Sequence, residues 1–174
     1  MAETMNLKKL TVLFLTAIIL MLALCSCKNE ETLSLEAEPE EVKDKYEEYV
    51  EIVKENYTTE ESGMREVPAD KIVKMAFTHA PVDMENFSEV YVCSQAEYPN
   101  IDMVFIGVAK DEECLKKAEE QLSSYSEKTA KIYADYDAVA ADRAKNFEIR
   151  KDGLIICFVM GENCDDIIKT IFGK

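Results

Sequence analysis

The feature that most constrains this chain is an uninterrupted apolar run near its N-terminus. Residues 10–24 read LTVLFLTAIILMLAL, without charge, Gly or Pro, directly after Lys8 and Lys9. A membrane-spanning helix needs about 20 apolar residues, so this run is short for one. A basic pair before a short apolar core is typical of an export signal. We therefore predict that the chain after this run folds on the outer face of the cytoplasmic membrane.

The end of the run predicts how the protein is held there. Residues 24–27, LCSC, resemble a bacterial lipobox, in which a small residue precedes the cysteine that receives palmitate and related acyl chains. Ser26 is small, whereas Leu24 before Cys25 is bulky, so Cys27 is the predicted lipidation site. Each buried methylene of such a lipid contributes about 0.8 kcal/mol to membrane binding. An uncleaved membrane helix and a plain secretory signal are the alternatives, and both also place the domain outside.

The remaining chain divides by composition. Residues 1–26 are the predicted lipoprotein signal peptide, and residues 27–39 are polar and acidic without periodicity, which indicates a tether. Residues 40–174 have the length and apolar content of a single domain. The whole chain has a net charge of −15, and the signal peptide removes two lysines and one glutamate from it. An acidic domain repels phosphate groups, so nucleic acid is excluded as a partner class. It also repels anionic lipid head groups, so we expect the lipid to be what attaches the protein to the membrane.

Periodicity in the domain predicts an α+β fold. The uninterrupted apolar run LIICFVM at residues 154–160 indicates a central strand buried on both faces. The apolar spacing after Asp111 predicts a long helix with one buried stripe. The other predicted helices are at residues 40–56, from Pro68 toward Pro81, and from Asn163 to the C-terminus; the other predicted strands are at residues 89–95, 102–109 and 147–150. The stripe consists of Leu115, Ala118, Leu122, Tyr125, Thr129, Ile132 and Tyr136.

A weak internal repeat organises these elements. VFIGVAKDEECLKKA from Val104 and LIICFVMGENCDDII from Leu154 align without gaps at an offset of fifty residues. Each copy reads strand, acidic turn, cysteine, helix, so the hypothesis is a strand–strand–helix unit used twice. Two such units predict a four-stranded, mainly antiparallel sheet with its helices packed on one face.

Cysteine usage leaves two alternatives open. Once Cys25 leaves with the signal and Cys27 takes lipid, the domain keeps Cys93, Cys114, Cys157 and Cys164, which show neither a CxxC motif nor a metal-binding spacing. We favour free buried thiols, because cysteine in an apolar strand behaves as a small hydrophobe. The repeat aligns Cys114 with Cys164, and a disulfide between them requires Cα atoms within about 7 Å.

The order of these segments resembles a known family. The segments are SEVYVCSQAEYPNIDMVFIGVAKDEE, LKKAEEQLSSYSEKTAKIYADYD and FEIRKDGLIICFVMGENCDDIIKTIF, behind a lipobox and an acidic tether. This arrangement over residues 40–173 resembles the lipoproteins of Gram-positive bacteria grouped as the domain of unknown function 4358 family. The resemblance implies a lipid-anchored extracytoplasmic domain and supplies no activity or catalytic residue. Four cysteines in the domain depart from what the family leads us to expect.

No catalytic, metal or cofactor motif stands out from the residues. His79 is the one histidine, so neither a histidine zinc site nor a full nucleophilic triad is indicated. Its place before Pro81 suggests a helix C-terminus, where a histidine is favourable. Asp135, Asp137 and Asp142 form at most a loose calcium site, since the calcium-loop pattern is absent. No glycine-rich phosphate loop occurs among five glycines, which argues against nucleotide binding.

Three functions remain as hypotheses. The leading one is a non-enzymatic module, lipid-anchored at the membrane, that binds an unknown protein, wall component or small molecule without a cofactor. The second is an extracytoplasmic hydrolase that uses acidic residues, which predicts a deep pocket of carboxylates with raised pKa values. The third is a thiol-redox protein, which requires an accessible, reactive cysteine.

Overall fold

The computed structural model describes residues 39–97, 99 and 101–173. These residues belong to one compact unit. The predicted signal peptide, the lipidation site Cys27 and the predicted tether through residue 38 lie outside the described residues, so these predictions remain untested. Along the described part of the chain, every helix is too short or too polar to span a membrane.

The described residues form five α-helices and five β-strands in one sheet. The helices are α1 (Pro39–Tyr57), α2 (Ile72–Met75), α3 (Glu112–Tyr133), α4 (Ala138–Lys145) and α5 (Cys164–Phe172). The strands are β1 (Met64–Glu66), β2 (Phe87–Gln95), β3 (Met103–Ala109), β4 (Phe147–Asp152) and β5 (Ile155–Met160). Single 3-10 turns at Ala69–Lys71 and Met84–Asn86 precede α2 and β2.

The sheet is antiparallel throughout, in the order β1-β2-β3-β5-β4. The predicted α+β class and the central position of LIICFVM are therefore confirmed, since β5 pairs with β3 on one side and β4 on the other. The predicted number of four strands is wrong. The missed strand, β1, pairs Met64 with Gln95 and holds only three residues, too few to show an alternating pattern.

The prediction that the helices pack on one face is also wrong. Along β3, Val104 and Ile106 point to one side of the sheet and Met103 and Phe105 to the other, and all four are buried. A strand that is apolar on both sides needs cover on both sides. Helices α3, α4 and α2 cover the side that we call the α3 face, and α1 and α5 cover the opposite α5 face.

The repeated strand–strand–helix order is present, but it is not a structural symmetry. The helix of the first unit, α3, lies on the α3 face, whereas the helix of the second unit, α5, lies on the α5 face. The sequence alignment matches Phe105 with Ile155, yet Phe105 faces α3 and Ile155 faces α5. Because side chains alternate between faces, a one-residue difference in phase reverses the face that each strand presents.

The long helix follows its predicted stripe only as far as Thr129. Ala118, Leu122 and Tyr125 are buried as predicted, but the helix ends at Tyr133. Ile132 is 39% exposed and Tyr136, beyond the helix end, is 60% exposed. Ser126, Ala130 and Tyr133 are buried in their place, because the small α4 packs against the side of α3 that carries them.

Candidate functional site

The two cysteines of the predicted disulfide do not meet. All four cysteines of the domain are free, and Cys114 and Cys164 start helices on opposite faces of the sheet. Each follows the C-terminal end of its strand, and β3 and β5 run antiparallel, with Met103 opposite Met160. The two cysteines therefore lie at opposite ends of strands about 20 Å long. All four thiols are free in the structure; Cys93, Cys157 and Cys164 are buried, whereas Cys114 is half-buried.

The thiols are poorly suited to nucleophilic chemistry. Burial raises the pKa of the Cys93 thiol to about 11 and that of the Cys164 thiol to about 11, and it also raises the pKa of Cys157. The pKa of the more exposed Cys114 is raised as well, first by its hydrogen bond with Asp111. A cysteine attacks as the thiolate, so these four thiols are largely protonated and unreactive at neutral pH.

A polar cluster holds one end of the sheet together. Arg143 of α4 forms an ion pair with Asp102, which precedes β3, and the Asp102 carboxylate lies against Gly161 after β5. The Asn146 side-chain amide donates to the Gly161 carbonyl at 2.5 Å, and the Cys164 thiol donates to the same oxygen at 3.2 Å. These contacts join α4, the start of β3, the end of β5 and the start of α5. We therefore assign the cluster a structural role, which is to hold these elements together.

The one histidine does not occupy a helix end. Helix α2 ends at Met75, four residues before His79, so the interpretation of His79 as a helix C-terminal residue is wrong. Its ring instead packs edge-on against Tyr133, with ring centroids 5.9 Å apart. Tyr133 in turn donates its hydroxyl to the carbonyl of Pro99 at 2.8 Å and contacts the ring of Tyr136 at 5.1 Å.

The most distinctive surface of the described residues is apolar. Their most exposed large hydrophobic side chains fall in two short segments, residues 73–75 and 132–139, rather than being scattered. We call these five residues the apolar surface: Val73, Met75, Ile132, Tyr136 and Val139. Val139 is 71% exposed on the first turn of α4.

Two contacts attach the chain that follows the first segment to α3, the helix that leads into the second segment. The Tyr125 hydroxyl of α3 donates to the carbonyl of Ala76, directly after α2, at 2.6 Å. The contact of His79 with Tyr133 fixes the following loop against the end of α3. Ile132 lies seven positions after Tyr125 on the same side of α3, about 10 Å further along the helix. Isolated exposed hydrophobic residues are ordinary, but a contiguous group often marks an interaction site.

The charges around this surface are mixed. Lys74 follows Val73 on α2, Lys71 directly precedes that helix, and Lys128 and Lys131 precede Ile132 on α3; all four are exposed. Asp70, in the turn before α2, and Asp135, within the second segment, are also exposed. These charged neighbours are four lysines and two aspartates, so they are net positive in a chain whose net charge is −15.

The described residues offer no group of three or more His, Cys, Asp or Glu side chains placed to hold a metal ion. The loose calcium site is therefore not formed. The Asp137 carboxylate accepts a hydrogen bond from the backbone N–H of Ala140, and the Asp142 carboxylate accepts one from the ammonium of Lys145. Two depressions lie along α3, one of about 490 Å³ and one of about 380 Å³. The larger is lined by side chains of α3 alone, so it is a surface groove rather than an enclosed pocket: Lys116, Glu119, Glu120, Ser123, Ser124 and Glu127.

No protein-family model, curated protein or solved structure matches this chain. The resemblance to the domain of unknown function 4358 family therefore stays a prediction. The apolar surface was missed at the sequence level because Ile132 and Tyr136 fit the buried stripe. Asp137 is the signal that could have revealed it, because it caps a new helix. The long helix must therefore end before Asp137, so Tyr136 and Val139 cannot continue its buried stripe.

Proposed function

We propose that this protein is a non-enzymatic binding module, anchored by lipid at Cys27 on the outer face of the cytoplasmic membrane, and that its apolar surface binds a protein partner. The observation that carries the proposal is that the most exposed large hydrophobic side chains of the described residues fall in two short segments, one on or directly after α3 and one whose following chain is attached to α3. Removing such side chains from water on binding gains about 25 cal/mol for each Å² of apolar area.

The chemistry of the surface favours a protein partner over the other classes considered. Small-molecule sites are usually enclosed and bury most of their ligand, whereas the grooves along α3 are open and lined by exposed charged residues. A tyrosine and aliphatic side chains with a rim of mixed charge are the usual composition of a protein interface. Tyr136 is the expected centre, because tyrosine is enriched among the residues that dominate binding energy.

The alternative functions have less support from the side chains. A thiol-redox role needs a low-pKa, accessible cysteine, whereas the pKa of each of the four domain thiols is raised. An acid-based hydrolase needs carboxylates converging in a cleft. The carboxylates Glu119, Glu120 and Glu127 in the larger groove all belong to one helix, so no opposing wall presents a second group.

The lipid anchor is tested by labelling cells with an alkyne palmitate analogue. We expect label on the wild-type chain, the same label on Cys25→Ser, and none on Cys27→Ser. Cys25→Ser is the matched control, because it removes a neighbouring cysteine without changing the predicted attachment site. Label retained by Cys27→Ser would refute this part of the proposal.

Binding is tested with a photo-crosslinking amino acid at position 136 in the membrane of origin. We expect one reproducible crosslinked protein, which disappears when Val73 and Val139 are both changed to Ser in the same chain. A crosslinker at Glu47, exposed on α1 across the sheet, is the control and should not give that product. A crosslink that survives the double change, or that forms equally from position 47, would contradict the proposal.

A further inference from the structure

The sheet has one long open edge, formed by β4. This strand is last in the strand order and pairs only with β5. In the described part of the chain, the backbone of residues 147–152 makes no hydrogen bond outside that pairing. Its outer N–H and C=O groups are therefore available to a further strand. The opposite edge differs, because the three-residue β1 covers the end of β2.

We propose that two copies of this chain pair through β4 around a twofold axis at Ile149, which joins their sheets into one continuous antiparallel sheet. A twofold contact in which both copies use the same surface is the commonest arrangement of homo-oligomers. Pairing along a sheet edge satisfies the free backbone groups of both strands at once. The inference does not depend on the lipid anchor or on the apolar surface, which lies on other elements.

The charge pattern of β4 selects one register. Residues directly opposite each other in an antiparallel pair point to the same face of the sheet. Glu148 and Arg150 both point to the α5 face, where Arg150 lies 5.3 Å from the centre of the Phe172 ring. With the axis at Ile149, Glu148 of each copy lies opposite the partner's Arg150, which forms two pairs of opposite charge.

The neighbouring registers are unfavourable. With the axis at Glu148, the Glu148 carboxylates of the two chains lie opposite each other. With the axis at Arg150, the two Arg150 guanidinium groups lie opposite each other. Like charges directly opposite each other destabilise a strand pair. An axis at Lys151 would pair Arg150 with Asp152 on the α5 face, where Asp152 contacts Tyr49, but it would place Lys151 opposite its own copy on the α3 face. Of these four registers, the one at Ile149 sets no like charges opposite each other.

The other face of β4 fits the same register. Phe147 and Ile149 are half-buried on the α3 face, where they pack against its core. In the Ile149 register, Ile149 meets its own copy, and Phe147 meets the aliphatic part of the partner's Lys151. Such stems commonly cover apolar surface while the charge stays in water.

The charged side chains of β4 do not block the edge. Outward-pointing lysines on an edge strand usually prevent further pairing. Here the Lys151 ammonium is held above the sheet by Glu119 of α3 at 2.5 Å, and Arg150 is held below it by the contact with Phe172. The open groove along α3 includes Glu119, so space adjoins the strand on that side.

The test measures the mass of the full-length chain in detergent micelles by light scattering, with the detergent contribution subtracted. We expect a mass of two chains for the wild type. Glu148→Arg and Arg150→Glu each place like charges opposite one another twice and should weaken the dimer by at least about tenfold. The double change, Glu148→Arg with Arg150→Glu, exchanges the charges within each pair and should restore the dimer.

Two controls separate pairing from folding. Glu55→Arg makes the same charge change on an exposed residue of α1 and should leave the dimer intact. Circular dichroism checks that each variant is folded; should Arg150→Glu unfold through loss of its contact with Phe172, the exposed Glu148→Arg still decides the result. Hydrogen exchange gives a second readout, since amides of residues 147–152 should gain protection as the concentration of the wild-type chain rises.

Three results would overturn the inference. The first is a wild-type chain that keeps the mass of one copy at every concentration. This holds also if the β4 amides become protected from hydrogen exchange only when a different protein is added. The second is a dimer unaffected by Glu148→Arg. The third is a folded double variant that remains monomeric, because then charge pairing across this register does not hold the two copies together.

Discussion

The two faces of the sheet are built from the same strands, yet their cores differ in kind. On the α3 face, Phe105 packs edge-to-face against Phe77 at 5.7 Å and Phe87 at 5.2 Å between ring centres. On the α5 face, the strands contribute mainly aliphatic side chains and thiols, including Val104, Ile106 and Cys157, together with the aromatic Tyr91. Because successive residues of a strand alternate, one strand supplies both cores.

This difference indicates how each helix layer is held. Edge-to-face rings add a preferred geometry to their burial, so the α3 face is fixed by shape as well as by area. Phe77 also contacts Tyr125 edge-to-face at 5.0 Å, which links the loop after α2 to α3. The apolar surface rests on this layer, so its geometry depends on the aromatic core beneath it.

The largest expected effect is the loss of a ring from the α3 face. Phe105→Ala should reduce the free energy of unfolding by about 4 kcal/mol, because Phe105 is fully buried and its removal leaves a cavity beside the rings of Phe77 and Phe87. Ile106→Val, the next residue on the opposite face, should cost only about 1 kcal/mol. Urea unfolding of both variants measures the contrast. A loss no larger for Phe105→Ala than for Ile106→Val would contradict the burial and ring contacts assigned to Phe105.

A second change tests the connection from β5 to the α5 face. Gly161 has a φ angle of 134°, and a Cβ there would overlap the Asp102 carboxylate. Gly161→Ala should therefore cost about 3 kcal/mol through backbone strain and collision.

The matched control for this change is Gly153→Ala in the turn between β4 and β5. Gly153 also has a positive φ angle, 58°, but a Cβ there meets open space. Strain alone should then cost about 1 kcal/mol. Thermal unfolding monitored by circular dichroism compares the two, and a Gly153→Ala loss as large as that of Gly161→Ala would remove the role given to Asp102.

A third prediction concerns alkaline pH. Burial raises the pKa of Cys164 from an ordinary value of 9.0 to about 11. Between these values the unfolded thiol loses its proton while the folded thiol keeps it, so stability falls as pH rises from about 9 to about 11. The loss from this group is on the order of 2 kcal/mol.

Unfolding in urea at pH 8 and pH 10.5 checks this prediction in the wild type and in two variants. Cys164→Ala should make the decline with pH less steep, since one of the three buried thiols whose pKa values are raised no longer contributes. Cys114→Ala, which removes the more exposed cysteine of the first unit, should change the slope less. A decline of the same steepness in Cys164→Ala and the wild type would contradict the assignment.

The smallest effect separates the helix starts on the two faces. The Asp111 carboxylate accepts the backbone N–H of Cys114 at 2.7 Å and caps α3, whereas Asn163 at the start of α5 makes no side-chain capping bond. Asp111→Ala should therefore destabilise the fold measurably, and Asn163→Ala should not. The hydrogen bond also lowers the pKa of Asp111, so the capping contribution should persist through mildly acidic pH. Thermal unfolding at pH 5 and pH 7 tests both statements.

Much of the fold was predictable because its signals are local. The alternating and continuous apolar runs identified β2, β3 and β5, and the cap at Asp111 marked the start of α3. The short β1 escaped because its three residues are held by pairing with β2, which is not a local property. The apolar surface escaped for a similar reason: whether Ile132 is buried depends on where the neighbouring elements stop, and not on its place in the stripe.

The sequence by itself determined the kind of elements, their order and the apolar character of both sides of β3 and β5. It also carries the predicted export signal and Cys27, which belong to the part of the chain outside the described residues. Only the tertiary structure decided which helix covers which face, and hence that Cys114 and Cys164 lie far apart. The physical reason is that a strand buried on both sides accepts a helix on either one, and the choice depends on the phase of its side chains against the rest of the sheet.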